Sequence, residues 1–204
     1  MSPTPLIPLI PLILASASPR RRELLTKAGV AFCVVPSRTT EEVWPAEAPQ
    51  DYVVRVAEEK AREVATRHPH TCILAADTIV EIEGKILGKP HDKADGSRML
   101  HLLSGRSHHV MTAFVILQSE RQKTVHQLVT STVTFKTLSD TQIAAYLATG
   151  EPADKAGAYA VQGLGSDLVE CVTGSYTNVV GLPMDEVCAA LQTLGIVGTK
   201  SDES

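Results

Sequence analysis

No stretch of this 204-residue chain reaches the roughly 18 uninterrupted apolar residues that a membrane-spanning helix needs. The apolar start, MSPTPLIPLIPLILASAS, lacks the positive leader of a secretory signal, and Pro5, Pro8 and Pro11 would break the helix such a signal forms. Cysteine is sparse. Cys33, Cys72, Cys171 and Cys188 stand far apart, with no CxxC pair and no zinc-type spacing, so reduced, buried thiols in the cytosol are expected. Positive charge is not in excess either: 19 basic against 23 acidic residues give −4, which argues against a general nucleic-acid coat protein. A G-x-x-x-x-G-K-[ST] phosphate loop is missing, and the stretch Gly163-Leu164-Gly165-Ser166-Asp167-Leu168 fails the dinucleotide fingerprint at its third glycine. Residues 12–197 contain no internal repeat and no low-complexity linker.

What remains is a chain able to bury a core, with 44% hydrophobic and 21% charged residues. The expected organisation is a flexible Pro-rich lead-in over 1–11, a single domain over 12–197, and a frayed tail over 198–204. A short buried strand is expected near Leu12 to Ala15, then a helix begun by Ser18-Pro19 and stopped at Gly29. Ala31 to Val35 reads as a strand and Gln50 to Thr66 as a helix whose apolar stripe breaks once at Lys60. Cys72 to Ile82 is a β-branched strand, Ala94 to Leu103 a helix, and Val110 to Leu117 with Val125 to Phe135 a hairpin. A short helix follows Ser139-Asp140, an irregular glycine-rich run covers 150–165, and Leu168 to Val172 and Pro183 to Leu194 close the chain as strand and helix. Interleaved helices around a β-rich middle favour an α/β fold with a mixed sheet and flanking helices.

Three arginines, Arg20 to Arg22, occupy the first turn of a helix, where the macrodipole disfavours positive charge. A bound phosphate resolves that conflict, because helix N-termini offer free N–H groups and arginine grips phosphate bidentately; a solvated turn is the plainer alternative. Ser16 and Ser18 add hydroxyls. Asp77 interrupts an apolar strand, an expensive place for a carboxylate unless it has a cation, a metal or a catalytic task. Glu41 and Glu42 supply further oxygen ligands of the kind that suit Mg²⁺ or Mn²⁺. Lys60, Lys89, Arg20 and Arg21 together have the charge to neutralise a polyphosphate, and Gln162 has an amide suited to a base edge. The pairs His68/His70 and His108/His109 lack metal-site spacing with acidic partners and read as structural or surface residues.

The segments LASASPRRRELL, AADTIV, GKP, LSGRSHHVMTA, DKAGAYAVQGLG and NVVGLP run in order across roughly the whole of residues 12–190 and resemble the Maf family of nucleoside triphosphate pyrophosphatases. That resemblance implies an inosine-triphosphate-pyrophosphatase-like fold with two lobes around a cleft. It also implies divalent-metal-dependent hydrolysis of a nucleoside triphosphate to the monophosphate and pyrophosphate. On the matching positions, Asp77 is implied as proton acceptor and metal ligand, and Glu41 as the acidic loop residue concerned with metal or water, with Glu42 open beside it. Ser16, Arg20, Arg21, Lys60 and Lys89 match the phosphate-handling positions. Arg20, Thr78 and Gln162 together resemble the dTTP/UTP subclass, whereas the 7-methyl-GTP subclass tends to carry Trp, Gln and Glu. A neutral Gln pairs with the O4/N3 edge of uracil or thymine, while a Glu attracts a cationic methylated guanine. Expected partners are therefore a nucleoside triphosphate, no stable nucleic acid and no membrane; the cytoplasm is the expected location and a homodimer the expectation from fold analogy. Two rival readings are a hydrolase of modified purine nucleotides and a non-catalytic nucleotide-binding regulator of cell division.

Overall fold

The computed structural model describes residues 7–8 and 10–198. Residues 1–6 and 9 of the expected lead-in, and 199–204 of the expected tail, lie outside the described residues. The chain is an α/β fold divided into two compact units: Met1–Asp77, Thr112–Leu128 and Gly181–Ser204 form one, Thr78–Met111 and Val129–Val180 the other.

A first short strand, β1 (Ile7–Pro8), pairs antiparallel with the last, β9 (Val197–Gly198). Next come β2 (Leu12–Leu14), α1 (Pro19–Lys27), β3 (Cys33–Val34), α2 (Pro49–Arg67), β4 (Cys72–Ile82), β5 (Lys85–Leu87) and α3 (Lys93–Leu103). The long strands β6 (Ser107–Gln118) and β7 (Lys123–Phe135) are followed by α4 (Asp140–Ala148), three 3-10 turns over 151–168, β8 (Val169–Thr173), α5 (Tyr176–Val180) and α6 (Met184–Thr193). Seven strands make one open sheet in the order β3-β2-β4-β6-β7-β8, with β5 paired to β4. It is mixed: β2 runs parallel to β3 and β4, while β5 on β4 and β8 on β7 are antiparallel.

Local chemistry explains the elements of the first unit. Parallel neighbours on both sides leave β2 with no solvent face, so Leu12, Ile13 and Leu14 are all apolar and buried. Ser18 caps α1 by accepting the Arg21 N–H, Pro19 supplies the fixed φ of the first turn, and Gly29 ends it with φ 71°. In α2 the buried face is Val53, Val56, Ala57, Lys60, Ala61 and Val64, a three- and four-residue rhythm in which Lys60 takes a core position. The expected break in that stripe is therefore corrected: Lys60 continues it with its aliphatic stem and turns its ammonium to a buried carboxylate. This unit has its own core, including Leu14, Leu25, Leu74, Phe114, Leu182 and Leu191.

The second unit packs Val80, Leu100, Leu103, Val133, Phe135 and Tyr159 into a separate core. A Ser139/Gln142 capping box starts α4. Three 3-10 turns occupy the run expected to be irregular, and α5 was not anticipated. The expectation of buried thiols holds fully for Cys72 alone, since Cys33 and Cys171 are exposed. Both lie on strands at the two ends of the sheet order, β3 and β8, where one side lacks a covering neighbour.

Candidate functional site

Arg21, Lys60, Asp77 and Glu41 converge within the first unit. Lys60 Nζ donates to Asp77 Oδ1 at 2.8 Å and forms an ion pair with Glu41 Oε1 at 2.6 Å. The Lys60 and Asp77 side chains are 10% and 8% exposed, whereas Glu41 is 46% exposed, so the triad runs from the interior to solvent. Two carboxylates sharing one ammonium leave one net negative charge on the group, a favourable setting for a further cation. Of the adjacent glutamates, Glu41 is the one whose side chain reaches Lys60.

Arg21 stands beside this triad, and its surroundings differ from the solvent-facing phosphate grip that its place in the turn implies. The guanidinium is buried, with Nε donating to Gly181 O at 2.8 Å and the first terminal nitrogen donating to Ala76 O at 2.7 Å and Ser16 Oγ at 3.2 Å. Burial pulls its pKa below the ordinary guanidinium value, opposed by the charges of Asp77 and Glu41. It ties the α1 start to the carbonyl immediately before Asp77. Ser16, itself buried, accepts from Arg21 and from the Ser18 N–H at 3.2 Å. Arg20, one residue earlier, is half-buried, and among the described residues its guanidinium has no hydrogen-bond or ion-pair partner.

The loop carrying Glu41 is irregular, and an unexpected residue organises it. Arg55, on α2, holds both carboxylate oxygens of Glu47 at 2.6 and 2.7 Å, the Glu42 carbonyl at 2.8 Å and Glu59 at 3.0 Å. Its guanidinium also lies 3.8 Å from the centre of the Trp44 ring, a cation–π stack. The Arg55 hydrogen bonds hold the Glu47 carboxyl below its usual range. In the sequence, Arg55 looks like an ordinary helix-surface charge with Glu59 four residues on, and nothing there singles it out. Tyr52, on the same helix, is pushed up to about 12 by burial and by the charges of Asp77 and Glu41.

Thr78, Lys89 and Gln162 belong to the second unit. Lys89 is exposed after β5, in a turn whose Gly88 carbonyl accepts from the Gly157 N–H at 3.0 Å. Gln162 precedes the 3-10 turn Gly163–Leu168, and its amide has no hydrogen-bond partner among the described residues. The histidines agree with a structural or surface reading: His108 bonds Tyr159, His109 bonds Glu81 and His70 bonds Glu120. Among the described residues no three His, Cys, Asp or Glu side chains form a ready-made metal cage.

The site thus sets a buried carboxylate–ammonium pair and the arginines of a helix start on an open mixed α/β sheet. Residues 11–194 match the family described as Maf-like protein, and the chain belongs to that family. It is 51% identical over 187 residues, 92% of this chain and 97% of the relative, to a dTTP/UTP pyrophosphatase of Citrifermentans bemidjiense. It is similarly 50% identical over 184 residues to one from Geobacter sulfurreducens, covering 90% of this chain and 96% of that protein. A third, from Anaeromyxobacter dehalogenans, is 50% identical over 186 residues, 90% of this chain and 94% of the relative.

Proposed function

We propose that this protein hydrolyses dTTP and UTP to the nucleoside monophosphate and pyrophosphate. The single observation that supports the chemistry is the Asp77 carboxylate, buried on its strand and held by Lys60; to it we assign the role of proton acceptor. The near-complete match to dTTP/UTP pyrophosphatases at about half identity supports the substrate. Water attacks the α-phosphorus, Asp77 takes its proton, the bond from the α-phosphorus to the bridging oxygen breaks, and pyrophosphate leaves. Arg20 and Lys89 offset phosphate charge, Ser16 adds a hydroxyl contact, and Lys60 balances Asp77 and Glu41 before substrate arrives. Arg21 acts through its neighbours, fixing Ser16 and the backbone beside Asp77. Arg20, Thr78 and Gln162 set the preference for a pyrimidine base.

A divalent cation, Mg²⁺ or Mn²⁺, fits the donors present: Asp77 and Glu41 are hard oxygen ligands that already share a positive centre at Lys60 Nζ. When bound, such an ion neutralises phosphate charge and orients water. No described helix is long and apolar enough to cross a membrane, and the reaction is assigned to the cytoplasm, where the nucleotide pool lies. The deciding experiment is pyrophosphate release from UTP, dTTP, CTP, GTP and 7-methyl-GTP with Mg²⁺ or Mn²⁺. Preferred turnover of UTP and dTTP supports the proposal. Preference for 7-methyl-GTP moves the specificity to modified purines, and absence of turnover on the whole panel leaves a binding protein.

A further inference from the structure

Gln162 sits inside a backbone clasp built by two residues that the sequence does not mark. Tyr146, buried on α4, accepts the Ala160 N–H on its hydroxyl at 3.1 Å and donates that hydroxyl to Glu151 Oε1 at 2.8 Å. The same Glu151 carboxylate accepts the Gly165 N–H on Oε1 at 2.9 Å and the Leu164 N–H on Oε2 at 3.1 Å. One phenol–carboxylate pair thus grips the chain two residues before Gln162 and again two and three residues after it. Tyr176 adds a donor to the Val161 carbonyl at 3.4 Å.

The clasp is closed tightly enough to dictate residue type. A Cβ at Gly165 would stand 2.3 Å from Ala160 O and 2.5 Å from the Tyr146 hydroxyl. Gly163 has φ 70°, and a Cβ there would meet Glu151 Oε2 at 2.6 Å. Burial opposes ionisation of Glu151, but the Gly165 N–H, the Tyr146 hydroxyl and the Leu164 N–H outweigh it and hold its carboxyl below the usual range. A charged acceptor therefore meets two backbone donors, the stronger class of hydrogen bond.

We infer that Tyr146 and Glu151 are specificity-positioning residues: they fix the backbone on both sides of Gln162, so that its unpartnered amide is presented at the depth of a pyrimidine edge. The inference rests on the reading of Gln162 as the base reader. Its physical basis is simple. A purine's pairing edge lies farther from the ribose than a pyrimidine's, so ring size is selected by where an amide is held as much as by its hydrogen bonds. A Gln162 on a loose segment would follow either ring.

The test uses the full chain with excess Mg²⁺ and measures kcat and KM for UTP and GTP in Gln162→Ala, Glu151→Gln, Tyr146→Phe and the Glu151→Gln/Gln162→Ala double variant. Gln at position 151 keeps the shape but has one acceptor oxygen for three donors. Glu151→Gln is expected to lower the UTP-over-GTP preference about tenfold, mainly through KM for UTP, as a displaced polar contact does. Tyr146→Phe changes it in the same direction by a smaller factor, and amide exchange speeds up over 160–165 in both. The double variant shows the preference of Gln162→Ala alone, because Glu151 acts through Gln162. If Gln162→Ala shifts the preference and neither clasp variant does, the clasp inference is overturned while the base-reader assignment stands. Additive losses in the double variant overturn it too. A Gln162→Ala protein with unchanged preference removes both readings. Should Glu151→Gln fail to fold, Tyr146→Phe, which deletes one hydroxyl, decides alone by the same criterion.

Discussion

Lys60 reaches Asp77 from a core position on α2, with Nζ 2.8 Å from Oδ1 and both side chains at least nine-tenths covered. An ion pair so placed owes its tolerance to mutual neutralisation, since removing one partner strands the other charge in a low-dielectric surrounding. Lys60→Met is expected to destabilise the protein by about 3 kcal/mol, the lower end for breaking a buried pair. Asp77→Asn is expected to cost less, because Lys60 keeps Glu41 at 2.6 Å. Urea unfolding midpoints of both variants at matched slope check the order of the two losses.

Asp77→Asn separates the chemical role from the structural one. The amide occupies nearly the same volume and still accepts from Lys60, but it takes no proton at neutral pH. Turnover with UTP should fall about 10²–10⁴-fold, the range for loss of a general base. Pyrophosphate release measures this, and near-normal turnover in a folded variant would dismiss Asp77 as the proton acceptor.

Trp44 is the single tryptophan of the chain and stacks on Arg55 in the loop that carries Glu41. Its emission therefore reports on that loop alone. Arg55→Lys keeps the positive charge but loses the planar fork that spans both Glu47 oxygens and the Glu42 carbonyl. The expected result is a shift of the Trp44 emission together with a roughly tenfold fall in turnover, equivalent to about 1.4 kcal/mol in the barrier. An unchanged spectrum and rate would show that Arg55 does not hold the Glu41 loop in place.

The residues that break a local rule were the ones legible beforehand. Asp77 in an apolar strand and arginines in a helix's first turn announce themselves because each conflicts with its immediate surroundings. Strands β4, β6 and β7 and helix α2 were equally readable, since their periodicity is long and strong. Arg21 was visible as a residue but not in its surroundings: that it would turn inward to Ala76 O and Gly181 O depends on a loop 160 positions away. Arg55 and Glu151 were invisible for a related reason. Each is an unremarkable charge in sequence whose partners include backbone atoms, the Glu42 carbonyl for Arg55 and the Leu164 and Gly165 N–H groups for Glu151, and backbone atoms carry no residue type to pattern against. The cysteines misled because burial was read from residue type, whereas Cys33 and Cys171 sit on strands with an open side.

His108 contributes a pH dependence to stability. It is buried in the second unit, edge-on to Phe135 and Tyr159, with Nε2 2.7 Å from the Tyr159 hydroxyl and Nδ1 lacking a hydrogen-bond partner among the described residues. Burial, aided by the neighbouring His109, lowers its pKa from 6.5 to about 4. The folded state thus favours the neutral ring, while the unfolded chain gains a proton near 6.5. Between those two values the unfolded state binds more protons at this residue, so the contribution of His108 is full above about 6.5 and is lost as pH falls toward about 4. The loss attributable to this residue is at most about 3 kcal/mol at the acid end. His108→Gln removes the titration. The variant is expected to start less stable at pH 7, through altered packing and a weakened bond to Tyr159, yet to lose less stability on acidification than the parent. Urea midpoints at several pH values between neutral and mildly acid conditions measure the two slopes; equal slopes would mean that other groups carry the acid sensitivity.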